Sequence, residues 1–305
     1  MIRDATSWTY WTDVAERAGW RWQVSNDAPQ GAPTVHRLID PSGKTVQVAA
    51  RDIIRQRWCE AVDFANVQNA DQDKPCVLIL HGLGRTQRSM YPLRKGLQQR
   101  LPNFEMKQFA YASLINRIDD HATALLEFLS WSIGSRPVIF VAHSLGNIVL
   151  RRMYRLLRER GGLWLPEQSV ATLNLKGHAM LGPPNQGSLI AKRISQMPGT
   201  RWIMGPSFLQ VGPQWDELRD SLDLPPCPVA IIAGDVPSLR SMHPLLPAPN
   251  DGLVTVEEAR LTPEQGIEIY PILHSLFMYD RRVHDSLGKH LHNWLSPSPQ
   301  LPPNP

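Results

Sequence analysis

The stretch Pro137-Val138-Ile139-Phe140-Val141-Ala142-His143-Ser144-Leu145-Gly146 decides how this chain folds. Its apolar first half reads as a short buried strand, and Asn147 to Arg158 has helical spacing. At the junction stand a small residue, His143, Ser144, Leu145 and a glycine. Small-x-Ser-x-Gly between a strand and a helix is the sequence form of a nucleophile elbow. Such a turn is so tight that the positions two before and two after the serine must be nearly free of side chain. Gly146 meets that demand fully, and Ala142 brings one methyl group. The turn lifts Ser144 Oγ clear of the backbone and aims the N-terminus of the next helix at it, where developing negative charge is favoured.

The 305 residues, 42% of them hydrophobic, suit one large α/β domain with an appendage, or two modest domains. No run approaches the ~18 apolar residues of a membrane-spanning helix. The opening Met1-Ile2-Arg3-Asp4, followed by Asp13, Glu16 and Arg17, lacks the apolar centre of a secretion signal. Cys59, Cys76 and Cys227 form neither a disulfide framework nor a CxxC pair. Together these features set the expectation of a cytoplasmic protein with no integral membrane segment. Secretion stays open for a processed chain, and so does peripheral lipid contact.

The net charge is +4. Much of the excess lies in Arg151, Arg152, Arg155, Arg158 and Arg160, most of them on one helix face opposite Ile148, Met153, Leu156 and Leu157. This reads as a solvated helix edge before Gly161-Gly162 rather than an anion-binding surface. No other feature resembles a nucleic-acid module, so no nucleic-acid partner is expected.

Residues 1 to 73 read as a small α+β appendage. Trp8 to Ala18 is expected as a short helix. Trp20–Val24 and Thr34–Ile39 are expected as strands, and Lys44–Val48 as the return strand of a hairpin through Asp40-Pro41-Ser42-Gly43. Ala50 to Val67 has helical periodicity, and Asn66 to Lys74 reads as a polar linker. The cluster of Trp8, Tyr10, Trp11, Trp20 and Trp22 is read as core in preference to a ligand platform. From Cys76 onward, strands alternate with helices. Val77–Leu80, Met106–Tyr111, Val138–Ala142, Ala179–Leu181, Val229–Ala233 and Glu268–Ile272 are strand candidates. Arg88–Leu101 and Asp119–Trp131 are helix candidates, the latter capped by Asp119 or Asp120. This alternation implies a mainly parallel sheet covered on both faces. The expected catalytic domain spans 74–296. A cap or lid insertion is placed at 187–227, where Pro- and Gly-rich pieces surround a short helical stretch at Gln214–Leu222. The Pro-rich tail, 297–305, is expected to be disordered.

A serine in an elbow needs a base, an orienting carboxylate and donors for an oxyanion. His274, in Ile272-Leu273-His274-Ser275, follows a strand and precedes an apolar stretch, which favours it over the other histidines as base. His143 suits packing or orienting better. Asp251, before Gly252, is favoured as the acid over Asp235, which also follows a strand. The oxyanion donors are expected to be the backbone N–H groups of Leu145 and of Leu83, in the glycine-flanked loop His81-Gly82-Leu83-Gly84. Read instead as a phosphate loop, Gly82-x-Gly84 lacks both a third glycine and a following Lys-Ser/Thr.

Five blocks in series resemble those of bacterial lipase/esterase-like α/β-hydrolases over residues 75 to 295: Leu80 to Thr86, Ala142 to Gly146, Leu181-Gly-Pro-Pro-Asn-Gln-Gly-Ser188, Asn250 to Val254, and His274 with Phe277-Met278. The resemblance implies an α/β-hydrolase fold, with Ser144 as nucleophile, Asp251 as acid, His274 as base, and Leu83 and Leu145 at the oxyanion hole. It also implies that the Pro183–Ser188 block walls the site and leads into a lid region. Two positions depart from the common pattern: Ala142 stands where glycine is frequent, and Asn147 where a second glycine is common. Residues 1 to 73 lie outside the resemblance.

The expected activity is hydrolysis of small-molecule or lipid carboxylic esters through an acyl-enzyme, with neither cofactor nor metal. The apolar residues of the insertion, Ile190, Ile194, Met197, Trp202, Ile203, Met204 and Phe208 among them, suit an acyl wall or a cap. The same triad would serve a thioesterase or an acyltransferase, and a non-catalytic lipid- or partner-binding protein on this fold is the alternative of another class.

Overall fold

The computed structural model describes residues 11–26, 34–66, 74–164, 170–197, 204–242, 245–246 and 248–295. Expectations for Trp8, Tyr10, the linker at 67–73, Trp202, Ile203 and the tail after 295 lie outside the described residues.

The chain begins with a four-stranded antiparallel sheet: β1 (Trp11–Arg17), β2 (Trp20–Ser25), β3 (His36–Ile39) and β4 (Thr45–Ala49), in that spatial order. The short helix expected over Trp8–Ala18 is instead a strand over Trp11–Arg17, with Ala18 in the turn that follows. Ala18 and Gly19 both hold positive φ, 50° and 80°, and close a two-residue hairpin that pairs Arg17 with Trp20. A register shift between Asp13 and Ala15 puts Val14 and Ala15 together in the core, which imitates helical spacing in the sequence. Helix α1 (Arg51–Asn66) covers this sheet. Trp22, fully buried, packs against Trp58 and Trp131 at ring distances of 6.3 and 6.0 Å. The tryptophans of this part that are described therefore build core, as expected.

The remaining chain forms β5 (Cys76–Leu80), α2 (Tyr91–Arg100), β6 (Glu105–Phe109), α3 (Ile118–Ser132), β7 (Val138–His143), α4 (Leu145–Arg160), a small β8–β9 ribbon (Leu163–Trp164, Val170–Ala171) and β10 (Leu175–Leu181). Three short helices follow among the described residues, α5 (Leu189–Ile194), α6 (Pro206–Val211) and α7 (Trp215–Arg219). The chain then returns through β11 (Val229–Gly234), α8 (Pro237–Met242), α9 (Val256–Ala259), β12 (Glu268–Tyr270) and α10 (Arg281–Leu295). The large sheet has the order β12-β11-β10-β7-β5-β6, and every pairing in it is parallel. Its strands alternate between two cores. Leu78, Leu80, Phe140 and Ala142 face the layer of α3 and α4, while Val77, Ile79, Ile139 and Val141 face that of α2 and α10. Both faces being covered, β5 and Val138–Ala142 of β7 are apolar throughout. The cap of α3 is Arg117, and Asp120 sits three residues on, accepting the Arg117 N–H at 2.9 Å; neither Asp119 nor Asp120 is the cap itself.

The arginine edge of α4 is more tightly bound than its sequence suggests. Arg151 is buried and donates to the carbonyls of Asn185 and Asp223, while Arg152 and Arg158 pair with Asp119 and Asp223. Among the described residues no helix is long and apolar enough to cross a membrane.

The small sheet is joined to the loop after β6 by hydrogen bonds. Asp13 N–H donates to the Ala110 carbonyl at 2.9 Å, and Ala110 N–H donates to Asp13 Oδ2 at 2.7 Å. Ala112 N–H reaches Thr12 Oγ1, and Asn116 Nδ2 reaches Asn26 Oδ1. Asp13 is fully buried, receives Gln23 Nε2 and lies 3.5 Å from Arg21. Burial pushes its carboxyl pKa up against the pull of Arg21. Replacing it leaves two donors, Ala110 N–H and Gln23 Nε2, without that acceptor and takes one of two carboxylates from Arg21. Asp13→Ala should lower unfolding free energy by about 3 kcal/mol, read as a drop in the urea midpoint; a midpoint equal to wild type would show that this junction contributes nothing.

Candidate active site

Ser144, His274, Asp251, Leu83 and Leu145 come together at the carboxyl ends of the parallel strands, where loops from separate strands converge. Ser144 joins β7 directly to α4 with φ 52° and ψ −121°, a conformation that costs a non-glycine residue about 1–3 kcal/mol. Its own N–H donates to the Leu181 carbonyl at 2.9 Å. A Cβ on Gly146 would lie 2.9 Å from the His81 carbonyl oxygen and 3.0 Å from Leu80 Cβ, so only glycine fits there. The same Cβ would meet the Ala142 methyl at 3.4 Å, an ordinary contact. Alanine at 142 is therefore compatible with the turn.

Asn147, which departs from the usual glycine, holds the elbow from inside. Its Nδ2 donates to the carbonyls of Ala142 and Ser144 at 3.1 and 3.0 Å. Its Oδ1 accepts from His178 Nε2 at 3.1 Å, and His178 Nδ1 accepts the Tyr154 hydroxyl at 3.1 Å. Burial lowers the His178 pKa to about 3, so the ring is neutral and the chain of donors is fixed. In the sequence Asn147 is only a departure from a common glycine, and His178 carries no motif. The signal was a polar residue at a position that must be buried.

The sequence-predicted acid and base are brought together. His274 Nδ1 lies 2.7 Å from Asp251 Oδ2, with Asp251 1% and His274 5% exposed. The other carboxylate oxygen accepts the N–H groups of Leu253 and Val254 at 2.9 and 2.8 Å, the turn that Gly252 permits at φ 99°. His274 N–H donates to the Asp251 carbonyl at 2.8 Å, so the two loops are joined by backbone as well. Asp235, the competing acid, follows β11 with its N–H on the Tyr270 carbonyl; Asp251 is the carboxylate that reaches His274. Two glycines that the sequence reading did not single out make room for this pair. A Cβ on Gly182 would sit 3.1 Å from both Asp251 Oδ2 and His274 Nδ1, and one on Gly234 only 2.6 Å from Asp251 Cβ.

His143, expected to pack or orient, does contact the base loop: Nε2 donates to the His274 carbonyl at 2.9 Å, with the rings 4.6 Å apart. Burial, with the neighbouring His274, holds its pKa well below the ordinary value. Leu83 and Leu145 both line the cavity beside Ser144, and neither N–H has a hydrogen-bond partner among the described residues. Their neighbours are engaged. Gly84 N–H donates to Ser113 Oγ at 3.0 Å, Arg85 N–H to the Gly82 carbonyl, and the Tyr111 hydroxyl to the His81 carbonyl at 2.6 Å. Gly82 lets this loop approach, since a Cβ there would be 3.0 Å from Ser144 Cβ.

Ser144 and His274 open into a cavity of about 580 Å³. Pro184 and Ser188 wall one side, as the motif block implied. Ile190, Ile194, Met204, Phe208 and Val211 from the stretch between β10 and β11 supply much of the apolar surface. Among the described residues no cluster of His, Cys, Asp or Glu suits a metal ion.

No protein-family model and no curated protein matches this chain. Among solved structures it is similar to the mature lipase BlEst2 of Bacillus licheniformis, with a TM-score of 0.54 and 16% identity over 73% of this chain and 94% of that one. It is also similar to the lin2722 gene product of Listeria innocua, with a TM-score of 0.49 and 16% identity over 72% of this chain and 94% of that one. Phospholipase PlaB of Legionella pneumophila, in complex with thio-NAD, matches with a TM-score of 0.49 and 16% identity over 72% of this chain and 62% of that one. The first likeness shows the α/β-hydrolase fold, as the serial motif blocks imply.

Removing the Asn147 side chain strips two carbonyls and His178 of their partner. Asn147→Ala should cost about 1–3 kcal/mol of stability in urea unfolding, and an unchanged midpoint would show that the elbow does not depend on it.

Several buried rings make the fold sensitive to acid. Burial lowers the pKa of His81 to about 4, and those of His121 and His178 to about 3. Unfolded, these rings take protons near pH 6.5. Between those values the unfolded state binds more protons, so stability is lost as pH falls. Each ring contributes up to about 1.4 kcal/mol per pH unit. The urea midpoint should fall steadily from about pH 7 to about pH 5; a flat profile would contradict neutral burial of these rings.

Proposed function

We propose that this protein is a serine hydrolase that cleaves carboxylic esters through an acyl-enzyme on Ser144. The observation that carries the reading is the buried Asp251–His274 pair at 2.7 Å, opening with Ser144 into one apolar cavity. His274 removes the Ser144 proton as Oγ attacks the ester carbonyl, and Asp251 holds the imidazole and stabilises its cation. The N–H groups of Leu83 and Leu145 bind the oxyanion. Collapse breaks the C–O bond, and the His274 proton leaves with the alcohol. Water, deprotonated by the same imidazole, then hydrolyses the acyl-enzyme and restores Ser144. The apolar wall suits an acyl chain of medium length or longer. A thioester or an acyl transfer differs only in leaving group or acceptor.

Initial rates on p-nitrophenyl esters of increasing acyl length test this directly. Ser144→Ala should abolish most turnover, and wild-type rates in that variant would remove the nucleophile from the reading. Asp251→Asn should lower kcat by about 10⁴ through the wrong imidazole tautomer. A larger loss in Asp235→Asn would reassign the acid.

A further inference from the structure

Among the side chains that line the active-site cavity, one carries a permanent charge that the hydrolytic reaction does not use. Arg85, at the end of the oxyanion loop, lines the cavity together with Ser144 and His274 and is half-buried. Its Nη2 donates to Ser275 Oγ at 2.5 Å. Among the described residues it has no carboxylate partner, and no Asp or Glu lines the cavity. Most other arginines with buried or half-buried side chains behave differently: Arg21, Arg136 and Arg152 each meet a carboxylate. A guanidinium partly withdrawn from water and answered by a single neutral hydroxyl retains donors for an anion, and the low-dielectric apolar walls strengthen that attraction.

Its position says which part of a substrate it meets. The acyl wall is built from α5 and α6, through Ile190, Ile194, Phe208 and Val211. Arg85 instead bonds to the residue directly after His274, the group that hands its proton to the departing oxygen. The leaving group therefore occupies the Arg85 side.

We infer, resting on the ester-hydrolase reading, that Arg85 forms an anion subsite for a phosphate carried on the leaving alcohol a few bonds from the scissile oxygen. The substrate class is an acyl ester of a phosphorylated short alcohol. Hydrolysis breaks the acyl C–O bond; water supplies the hydroxyl of the released acid and the proton of the released phospho-alcohol. Phosphate fits better than carboxylate here because its oxygens accept the planar fork in more than one orientation while Ser275 keeps one donor.

The test compares 1-decanoylglycerol-3-phosphate, 1-decanoylglycerol and decanoyl-coenzyme A, the last carrying its phosphates far from the acyl bond. The readout is the ratio of kcat/KM values. The expected ratio of glycerol phosphate to neutral glycerol ester is about tenfold or more, falling towards unity in Arg85→Gln and partly kept in Arg85→Lys. A wild-type ratio of one or less, or a ratio unchanged by Arg85→Gln, overturns the subsite. Equal losses on both glycerol esters in Arg85→Gln and Ser275→Ala would make Arg85 a support for the His274 loop only, which also overturns it. Preference for the coenzyme A ester that depends on Arg85 would overturn the placement of the phosphate near the ester. Ser144-dependent hydrolysis without anion preference rejects the subsite alone, whereas no Ser144-dependent hydrolysis of any ester rejects the enzymatic reading. If Arg85→Gln fails to fold, the wild-type ratio itself decides: it should shrink as salt rises from about 20 to about 300 mM, and a salt-independent ratio counts against the subsite.

Discussion

Ser144 sits at a backbone angle that a serine does not adopt by itself, and much of the surrounding structure exists to impose it. Strand β7 delivers the residue and α4 starts immediately after it, so the chain has no slack in which to relax. The Leu181 carbonyl takes its N–H, and Asn147 ties down the carbonyls on either side. Gly146 and Gly82 are cleared of side chain so that the loop after β5 can close against the turn. The strain is thus spread over contacts from β5, β7, β10 and α4, and a rigid site is what results.

The fold was legible where its signals were local. Apolar runs of strand length separated by helical spacing gave the parallel sheet. Ser144 and His274 could be chosen because each follows a strand, and Asp251 because a turn glycine follows it. Less legible were features defined by a distant partner. Asn147 looked like a departure from pattern until His178, far along the chain, supplied its donor. Gly182 and Gly234 are ordinary glycines in the sequence; only the space taken by Asp251 and His274 explains them. Arg151 read as one more exposed cation, yet the carbonyls that bury it belong to two separate later loops. In β1 the misreading had a local cause. A bulge brings Val14 and Ala15 to one side, and the Ala18-Gly19 turn lacks the asparagine or aspartate that usually announces such a hairpin.

Binding and chemistry are contributed by different parts of the chain. The reacting groups stand on loops at strand ends, tied to one another by backbone hydrogen bonds. The apolar wall comes largely from short helices inserted between β10 and β11, beginning with the Ser188 cap of α5. That wall can change without touching the Asp251–His274 pair, a division by which one fold can host different sites.

The small sheet has an end that must not stay bare. Strand β1 is its edge, and what blocks the outer side of that edge is the Ala110–Ala112 segment, through Asp13 and Thr12. During synthesis, residues 11–49 emerge well before residue 110, so the sheet can be assembled while its cover is still inside the ribosome. An uncovered strand edge is a template for any other extended chain. The fully buried carboxylate of Asp13 is then exposed beside that edge, and a charge at such a place discourages the wrong partner until the right one arrives.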